Sequence, residues 1–355
     1  MADTLCGLNR EEIARLLGNR KDAEWRGKQI AHHIYGRAAD SYDRMNDVPQ
    51  DLRAMLSETP ITNLQIAKHL KSSDGVEKLL MHTGDNQVFE CVLLPYKDRV
   101  SCCLSSQIGC PMGCKFCATG LGGFDRNLTP GEIVGQYLAL QRLTTRRISH
   151  VVFMGMGEPM LNLQNLIKAM RLLHDEVGLS YRHLTVSTVG LVPQIRELAQ
   201  EGMPIHLALS LHSPLDSVRN RLMPVNHKWR VREVVDAMRD YARITGRKVT
   251  FEYLLIKEVN DTPEQAEALS KLVKGFPNVV NLIPFNYVDT EQGFRRPERA
   301  RVQAFRRILE ARRVNVTERQ ERGHDIAAAC GQLAGEHKGK FARRNKGSAL
   351  PLASS

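Results

Sequence analysis

The sequence lacks any apolar run close to the ~20 residues that a membrane-spanning helix needs. Its first residues also lack the order of charged, apolar and small residues that marks a secretory signal peptide. These two absences lead us to expect a soluble cytoplasmic protein that makes no use of a membrane.

Acidic residues are too few to balance the basic ones, since 39 Asp and Glu stand against 50 Lys and Arg, for a net charge of +11. An excess of this sign favours a polyanionic partner such as nucleic acid, although well-solvated basic enzymes share it. The sequence shows no aromatic signature of an RNA-binding module. The charged N-terminal helices and the basic C-terminal tail are therefore the stretches that could grip phosphates, or they are ordinary solvated faces.

Six of the eight cysteines lie between Cys91 and Cys117. An even number of cysteines could form four disulfides, but a chain of this length in a reducing compartment argues against them. Crowding within so short a stretch favours metal or redox chemistry over scattered covalent links.

The loop "GCPMGCKFCATG" lacks the fourth ligand of a closed metal site. Cys110, Cys114 and Cys117 have the spacing C-x3-C-x2-C, and the next histidine is His150. Thiolates select zinc or iron–sulfur clusters, and a structural zinc site needs four ligands. Three ligands on a four-iron cluster leave one iron open to substrate atoms. We expect such a cluster here, with zinc completed by a distant residue as the alternative.

Seven short apolar runs alternate with amphipathic stretches from about residue 99 onwards. The runs are RVSCCLSS, HVVFMGMG, HLTVSTVG, IHLALSLH, VTFEYLLI, VVNLIPFN and VNVTERQ. This repetition predicts an α/β protein with a parallel sheet and helices outside it, either as a partial barrel or as an open doubly wound sheet. We divide the chain into a helical N-terminal domain (1–60), a β-rich connector (61–98), the α/β region (99–323), a short segment (324–336) and a flexible basic tail (337–355).

Polar residues and glycines follow most of the predicted strands. The cysteine loop follows the first strand, and MGMGEP, STVG, SLHS and PFN follow or end later ones. Ligand groups collect beyond the carboxyl ends of parallel strands in such folds. We therefore expect one site along this rim.

The loop C-x3-C-x-Phe-C on a partial β/α barrel resembles the radical S-adenosylmethionine superfamily. The resemblance implies a partial (β/α)6 barrel with one [4Fe–4S] cluster on Cys110, Cys114 and Cys117, and S-adenosylmethionine on the open iron. The stretch MGMGEPMLN is similar to the superfamily's motif for the methionine amino group, which assigns Gly157 and Glu158 to it.

Residues 1–336 are similar, in the same order, to the RlmN family of RNA adenine methyltransferases. The similarity rests on CLSSQIGCPMGCKFCATGLGGFDRNLTPGEIVGQ, VFMGMGEPMLN, STVGLVP, LALSLHSP, NLIPFN and RGHDIAAACGQL. It implies methylation at C2 of one adenosine in 23S rRNA and of one beside the tRNA anticodon. It also implies an electron donor such as flavodoxin or ferredoxin, and a monomer. The Cfr-type branch, which methylates C8 of the same ribosomal adenosine, stays open as an alternative.

The resemblance makes Cys330 a methyl carrier, although a lone cysteine is usually a small buried hydrophobe. Adenine C2 is not nucleophilic enough to attack a sulfonium methyl group, whereas a thiolate attacks it readily. One S-adenosylmethionine would methylate Cys330. A second would provide the radical that removes hydrogen from this S-methyl group, and the resulting carbon radical would add to C2.

Release of the product needs a second thiol and a base. Cys103 matches the family's resolving cysteine, which forms a disulfide with the carrier. Strand alternation places Cys102 and Cys103 on opposite faces, so only one of them should face the site. Glu90, in the apolar run VFECVLL, matches the proton acceptor, with a solvent-facing glutamate on an edge strand as the alternative.

Further contacts to S-adenosylmethionine follow from the resemblance at the ends of predicted strands. These residues are Ser187, Ser210, Leu211, His212 and Asn286. The alternative interpretation of His212 is a structural histidine, and that of Asn286 is a turn residue. Two other functions remain open: another radical enzyme, such as a methylthiotransferase with its second cysteine cluster, and a non-enzymatic zinc protein that binds RNA.

Overall fold

The structure is a computed structural model that describes residues 4–288 and 292–333. The predicted basic tail (337–355) and the last three residues of the predicted segment 324–336 lie outside the described residues.

Helices occupy the N-terminal region. They are α1 (Arg10–Leu16), α2 (Ala23–Ala31), which continues into a π-helical turn (His32–Gly36), and α3 (Gln50–Leu56). Asn9 begins α1 with a capping box, because its side chain accepts from the Glu12 amide while the Glu12 carboxylate accepts from the Asn9 amide. Glu12 also binds Lys168 at 2.8 Å, which fixes these helices to the α/β region.

Ten strands of the described residues form one sheet, in the spatial order β1-β2-β3-β4-β7-β8-β9-β10-β11-β12. Their bounds are β1 (Gln65–Lys71), β2 (Glu77–His82), β3 (Val88–Pro95), β4 (Val100–Cys103), β7 (Ile148–Phe153), β8 (Leu184–Thr188), β9 (His206–Ser210), β10 (Val249–Leu255), β11 (Asn278–Pro284) and β12 (Val316–Glu318). A separate ribbon pairs β5 (Gln107–Gly109) with β6 (Phe124–Asn127). Strands β1 to β4 pair antiparallel, and the pairs from β4 to β12 are parallel.

The remaining helices follow the parallel strands. They are α4 (Ala118–Leu121), α5 (Pro130–Gln141), α6 (Leu163–Asp175), α7 (Val192–Gln200), α8 (Asp216–Leu222), α9 (Val231–Thr245), α10 (Pro263–Leu272) and α11 (Arg299–Ala311), with 3-10 turns between some of them. On β10 the Tyr253 ring packs against Phe305 of α11, with ring centroids 5.1 Å apart. The alternate residues Glu252 and Leu254 line a cavity on the opposite face.

The seven apolar runs of the sequence coincide with β4 and β7 to β12. Strands β4 to β11 of the parallel series are each followed by a helix, which gives six β/α units, and β12 adds a seventh strand. Because residues from β8 through β12 and their loops line one cavity, the sheet curves around it. The partial barrel is confirmed, and the open doubly wound sheet is not. No helix within residues 4–288 and 292–333 is long and apolar enough to cross a membrane.

Candidate active site

A cavity of about 960 Å³, open space at its mouth included, lies at the carboxyl ends of the parallel strands. We call it the rim cavity. Ten residues predicted from the sequence line it: Cys110, Cys114, Cys117, Gly157, Glu158, Ser187, Ser210, His212, Asn286 and Cys330. Strand order therefore gathers residues from six separate parts of the chain, at or just beyond strand ends, into one space.

The cysteine loop leaves the sheet through the β5–β6 ribbon. Gly109 has φ +75°, and a Cβ at this position would lie 2.1 Å from the carbonyl oxygen of Gly123. The next amide, that of Cys110, donates to the same oxygen at 2.7 Å. Glycine at 109 is required both by the backbone conformation and by this close approach.

The three cysteines of the loop fit an iron–sulfur cluster. Burial raises the pKa of each of the Cys110, Cys114 and Cys117 thiols in the metal-free protein. Within the described part of the chain, no three His, Cys, Asp or Glu side chains converge as ligands of a single metal ion. Three thiols that line one cavity supply the ligand type that iron–sulfur clusters use.

Glu158 places a buried carboxylate in the rim cavity. Gly157 before it has φ +103°, and a Cβ there would lie 2.6 Å from the Gln107 side chain. The carboxylate accepts from the amides of Val189 at 2.8 Å and Met160 at 3.1 Å. Burial nevertheless raises the pKa of Glu158 to about 7. Such a group fits the ammonium of an amino acid ligand, which would favour the charged form.

His212 is held neutral on the opposite wall. Its backbone has φ +57°, and its Nδ1 accepts from the Leu254 amide at 3.0 Å, so the proton of the neutral ring is on Nε2. Burial and then the Arg219 charge lower the pKa of His212 to about 3. Phe116 packs edge-on against this ring, with centroids 4.8 Å apart. Leu211, also predicted as a contact, is buried and lies outside the lining of the rim cavity.

Arg219 is a buried residue that sequence reasoning missed. Its guanidinium donates to the carbonyl oxygens of Leu211 at 3.0 Å, Val189 at 2.6 Å and Ser210 at 3.3 Å. It thereby ties together the loops that follow β8 and β9. The pattern DSVRNRL gives no signal for this role, because a helical arginine normally faces solvent.

The segment of residues 323–333, which we call the carrier segment, brings Cys330 to the edge of the rim cavity. The Ala118 amide donates to the Gly331 carbonyl at 2.8 Å, and Thr119 Oγ1 donates to the Leu333 carbonyl at 3.0 Å. Asn286 Nδ2 donates to the Cys330 carbonyl at 3.3 Å. These contacts fix the segment against the cysteine loop.

Cys103 and Cys330 line an adjoining space, which we call the side cavity, and Cys330 also lines the rim cavity. All eight cysteines lie within the described residues and have free thiols. Cys102 is fully buried and outside both linings, as strand alternation predicts. Burial raises the pKa of the Cys103 thiol to about 12, against a lowering effect of the nearby Arg319 charge.

Glu90 is buried on β3, a strand inside the sheet, so the solvent-facing interpretation is wrong. Its Oε1 lies 2.9 Å from Nζ of Lys78. Glu90 shares a strand face with Val92 and Leu94, which line the side cavity, while Glu90 itself is outside both linings. Sequence reasoning also missed Lys78, since a lysine in a short strand is normally exposed.

Comparison with known proteins supports the superfamily and the family that the sequence motifs resemble. The model of the radical SAM superfamily matches residues 104–273, and that of the ribosomal RNA large subunit methyltransferase N-terminal domain matches residues 4–61. A curated protein of Symbiobacterium thermophilum, named "Probable dual-specificity RNA methyltransferase RlmN", is 45% identical over 336 residues, which cover 93% of this chain and 90% of the relative.

The chain belongs to the RlmN family of radical S-adenosylmethionine RNA methyltransferases. A Rippkaea orientalis protein of the same name is 41% identical over 93% of this chain and 97% of its own length. The crystal structure of a radical SAM methyltransferase from Sphaerobacter thermophilus superposes with a TM-score of 0.90, at 43% identity, over 93% of this chain and 99% of that one. Family membership confirms an S-adenosylmethionine-dependent enzyme with a [4Fe–4S] cluster, and it excludes the methylthiotransferase and zinc-protein alternatives.

Proposed function

We propose that this RlmN-family enzyme methylates C2 of an adenosine in 23S rRNA and of an adenosine next to the tRNA anticodon. Cys330 is the methyl carrier, Cys103 the resolving thiol and Glu90 the base. One observation carries the proposal: two free thiols, one at the end of β4 and one in the segment after β12, line the same side cavity beside the three-cysteine loop.

The rim cavity would hold the cofactors. Cys110, Cys114 and Cys117 would bind the cluster, and the Glu158 carboxylate would bind the ammonium of S-adenosylmethionine. The remaining contacts would come from Gly157, Ser187, Ser210, Leu211, His212 and Asn286. When bound, these cofactors supply a methyl group and one-electron cleavage chemistry. The neutral Nε2–H of His212 adds a hydrogen-bond donor without adding a positive charge beside a sulfonium.

Cys330 lines both cavities, and this position suits a carrier. Its sulfur can face a methyl donor in the rim cavity and an RNA base in the side cavity without a large rearrangement. Gly331, with φ +83°, and the alanines before it keep the chain slim at this point. In the proposed reaction the methyl carbon stays on this sulfur until it is bonded to C2 of adenine.

Cys103 and Glu90 complete the release of the product. Radical addition leaves an unpaired electron on the adenine ring, and this electron would return to the cluster. Glu90 accepts the proton from C2 of the adduct, which restores the aromatic ring. The Cys103 thiolate attacks the Cys330 sulfur, so that an S–S bond forms, the S–CH₂ bond breaks, and the carbon takes the electron pair and then a proton. The resting disulfide needs reduction before the next turnover. The nearby Arg319 charge favours the attacking thiolate, against the effect of burial.

The N-terminal helices of residues 1–60 would contact RNA phosphates through their Lys and Arg side chains. The enzyme would act as a monomer that receives electrons from a flavodoxin or ferredoxin. Overall likeness to the family supports C2 over the C8 position of Cfr-type enzymes. Mass spectrometry of nucleosides from rRNA and tRNA of cells with and without the gene tests these points. We expect 2-methyladenosine in both RNAs to require the gene and an intact Cys330, whereas 8-methyladenosine, or no gene-dependent product, would contradict the proposal.

A further inference from the structure

We propose that Lys78 is a positioning residue that couples the base Glu90 to the carrier segment. The inference rests on the proposed roles of Glu90 and Cys330. It concerns a side chain that lies outside both cavity linings and therefore acts through its neighbours rather than on the substrate.

Strand register puts Lys78 on the same face as the resolving thiol. Lys78 of β2 pairs with Val92 of β3, and Val92 pairs with Cys103 of β4. Directly paired residues in antiparallel strands project from the same face of the sheet. Glu90 lies two residues from Val92 on the same strand and shares that face. The Lys78 ammonium, the Glu90 carboxylate and the Cys103 thiol therefore lie on the same face of three adjacent strands, β2, β3 and β4.

The Lys78–Glu90 ion pair is buried on both sides. The Lys78 side chain is 2% exposed and that of Glu90 is 1% exposed, with Nζ and Oε1 2.9 Å apart. Removal of either partner would leave an uncompensated charge in a poorly solvated place. The ion pair therefore fixes the position of the Glu90 carboxylate relative to the Lys78 ammonium.

The same ammonium reaches the carrier segment. Lys78 Nζ also donates to the carbonyl oxygen of Ala327 at 3.3 Å. Ala327 lies three residues before Cys330 and has φ +49°, a conformation that needs support in a residue other than glycine. A lysine ammonium has three donors, so it can hold both acceptors at once.

The carrier segment is held to the β1–β2 hairpin at two other points. Ser72 Oγ bonds Asp325 Oδ1 at 2.5 Å, and the Gly323 amide donates to Asp74 Oδ2 at 3.1 Å. Lys78 is the contact of this hairpin that also binds the proposed base. The position of the Glu90 carboxylate relative to the chain that carries Cys330 is therefore set through Lys78.

This arrangement predicts which step depends on Lys78. Methylation of Cys330 does not use the base, whereas resolution of the protein–RNA adduct needs proton transfer from C2 to Glu90. Lys78→Met should leave S-methylation of Cys330 intact and slow adduct resolution by about tenfold to 100-fold, by analogy with residues that orient metal ligands through hydrogen bonds. Lys78→Arg, which keeps the charge, should recover part of the rate.

The test uses purified enzyme with a reconstituted cluster and a short RNA substrate. Intact-mass spectrometry measures S-methylated Cys330, and denaturing electrophoresis measures the lifetime of the adduct. Lys71→Met is the matched control, since Lys71 is on the same hairpin and binds Glu77 at 3.4 Å but is 69% exposed. It should behave as the unaltered enzyme. Normal adduct lifetime in Lys78→Met, or loss of Cys330 methylation instead, would overturn the proposal.

A double variant covers the case in which Lys78→Met does not fold. Lys78→Met/Glu90→Gln removes both charges and leaves none unpaired, so it should fold. If Lys78 acts through Glu90, this variant resolves the adduct no more slowly than Glu90→Gln alone. An additional slowing in the double variant would refute the coupling. A Glu90→Gln single variant with normal resolution would instead refute the base of the proposed function.

Discussion

Two buried glutamates of this enzyme have different electrostatic surroundings. Glu90 has the Lys78 ammonium at 2.9 Å, whereas Glu158 accepts hydrogen bonds from backbone amides in the rim cavity. At Glu158 the amide hydrogen bonds favour the ionised carboxylate and burial opposes it. Burial accordingly dominates at Glu158 and raises its pKa to about 7. A cationic ligand in the rim cavity would supply the Glu158 carboxylate with a countercharge.

The raised pKa of Glu158 predicts that binding of S-adenosylmethionine depends on pH. Below pH 7 the carboxyl group holds its proton and offers no countercharge, and above pH 7 it is ionised. The affinity should therefore rise about tenfold from pH 6 to pH 8, since the ionised fraction rises by that factor. Glu158→Gln should bind weakly with a flat profile. Calorimetric titration of cluster-loaded enzyme measures the affinity of the wild type and of Glu158→Gln at each pH. A wild-type affinity that is constant or falls with pH would disprove the assignment of Glu158 to the ammonium of S-adenosylmethionine.

The residues of the site differ in how far the sequence could predict them. Alternation along β4 was enough to predict that only one of Cys102 and Cys103 faces the site, and the family resemblance chose Cys103. Lys78 and Arg219 could not be predicted, since their burial depends on partners far along the chain. The roles of Cys330 and Glu90 came from family resemblance, as a lone cysteine and a strand glutamate have commoner explanations.

At the scale of elements, parallel strands were easy to predict and the short ribbon was not. A strand buried on both faces contains a continuous apolar run, as β9 does in its three central, buried residues LAL. Strands β5 and β6 have only three and four residues, with glycine and charged side chains, and give no such pattern. Yet this ribbon starts the cysteine loop, so its geometry decides where the thiols lie.

Gly109→Ala should disrupt this ribbon and the cluster together. The new Cβ would lie 2.1 Å from the Gly123 carbonyl oxygen, so the backbone must move. Gly202→Ala is the matched control, since Gly202 also has positive φ (+68°) but nothing within 4 Å of the added atom. We expect the control to lower the free energy of unfolding by about 1 kcal/mol.

The loss in Gly109→Ala should exceed that of the control by about 2 kcal/mol, because overpacking adds to the backbone strain. Urea titration of the cluster-free proteins measures the difference, and iron and sulfide analysis after reconstitution measures the cluster. Equal stability of the two variants, with full iron in Gly109→Ala, would show that the ribbon does not position the loop.

At the scale of the whole molecule, the sheet brings distant residues together. Cys103 ends β4, and Cys330 follows β12 more than 200 residues later, at the far edge of the sheet. The repetition of strands and helices predicted the parallel sheet and the rim on which ligands collect. It could not predict that the sheet curves enough for β4 and the segment after β12 to share a cavity, because curvature depends on side-chain packing between the layers.

Detection of a covalent protein–RNA species tests the central claim most directly, since it requires Cys330 to carry the methyl carbon onto the base. Cys103→Ala enzyme, loaded with cluster and S-adenosylmethionine and given a reductant and RNA, should accumulate an adduct that survives denaturation. Peptide mass spectrometry should locate the adduct at Cys330, and Cys103→Ala/Cys330→Ala should form none. Free methylated RNA from Cys103→Ala at the wild-type rate, without an adduct, would contradict the account.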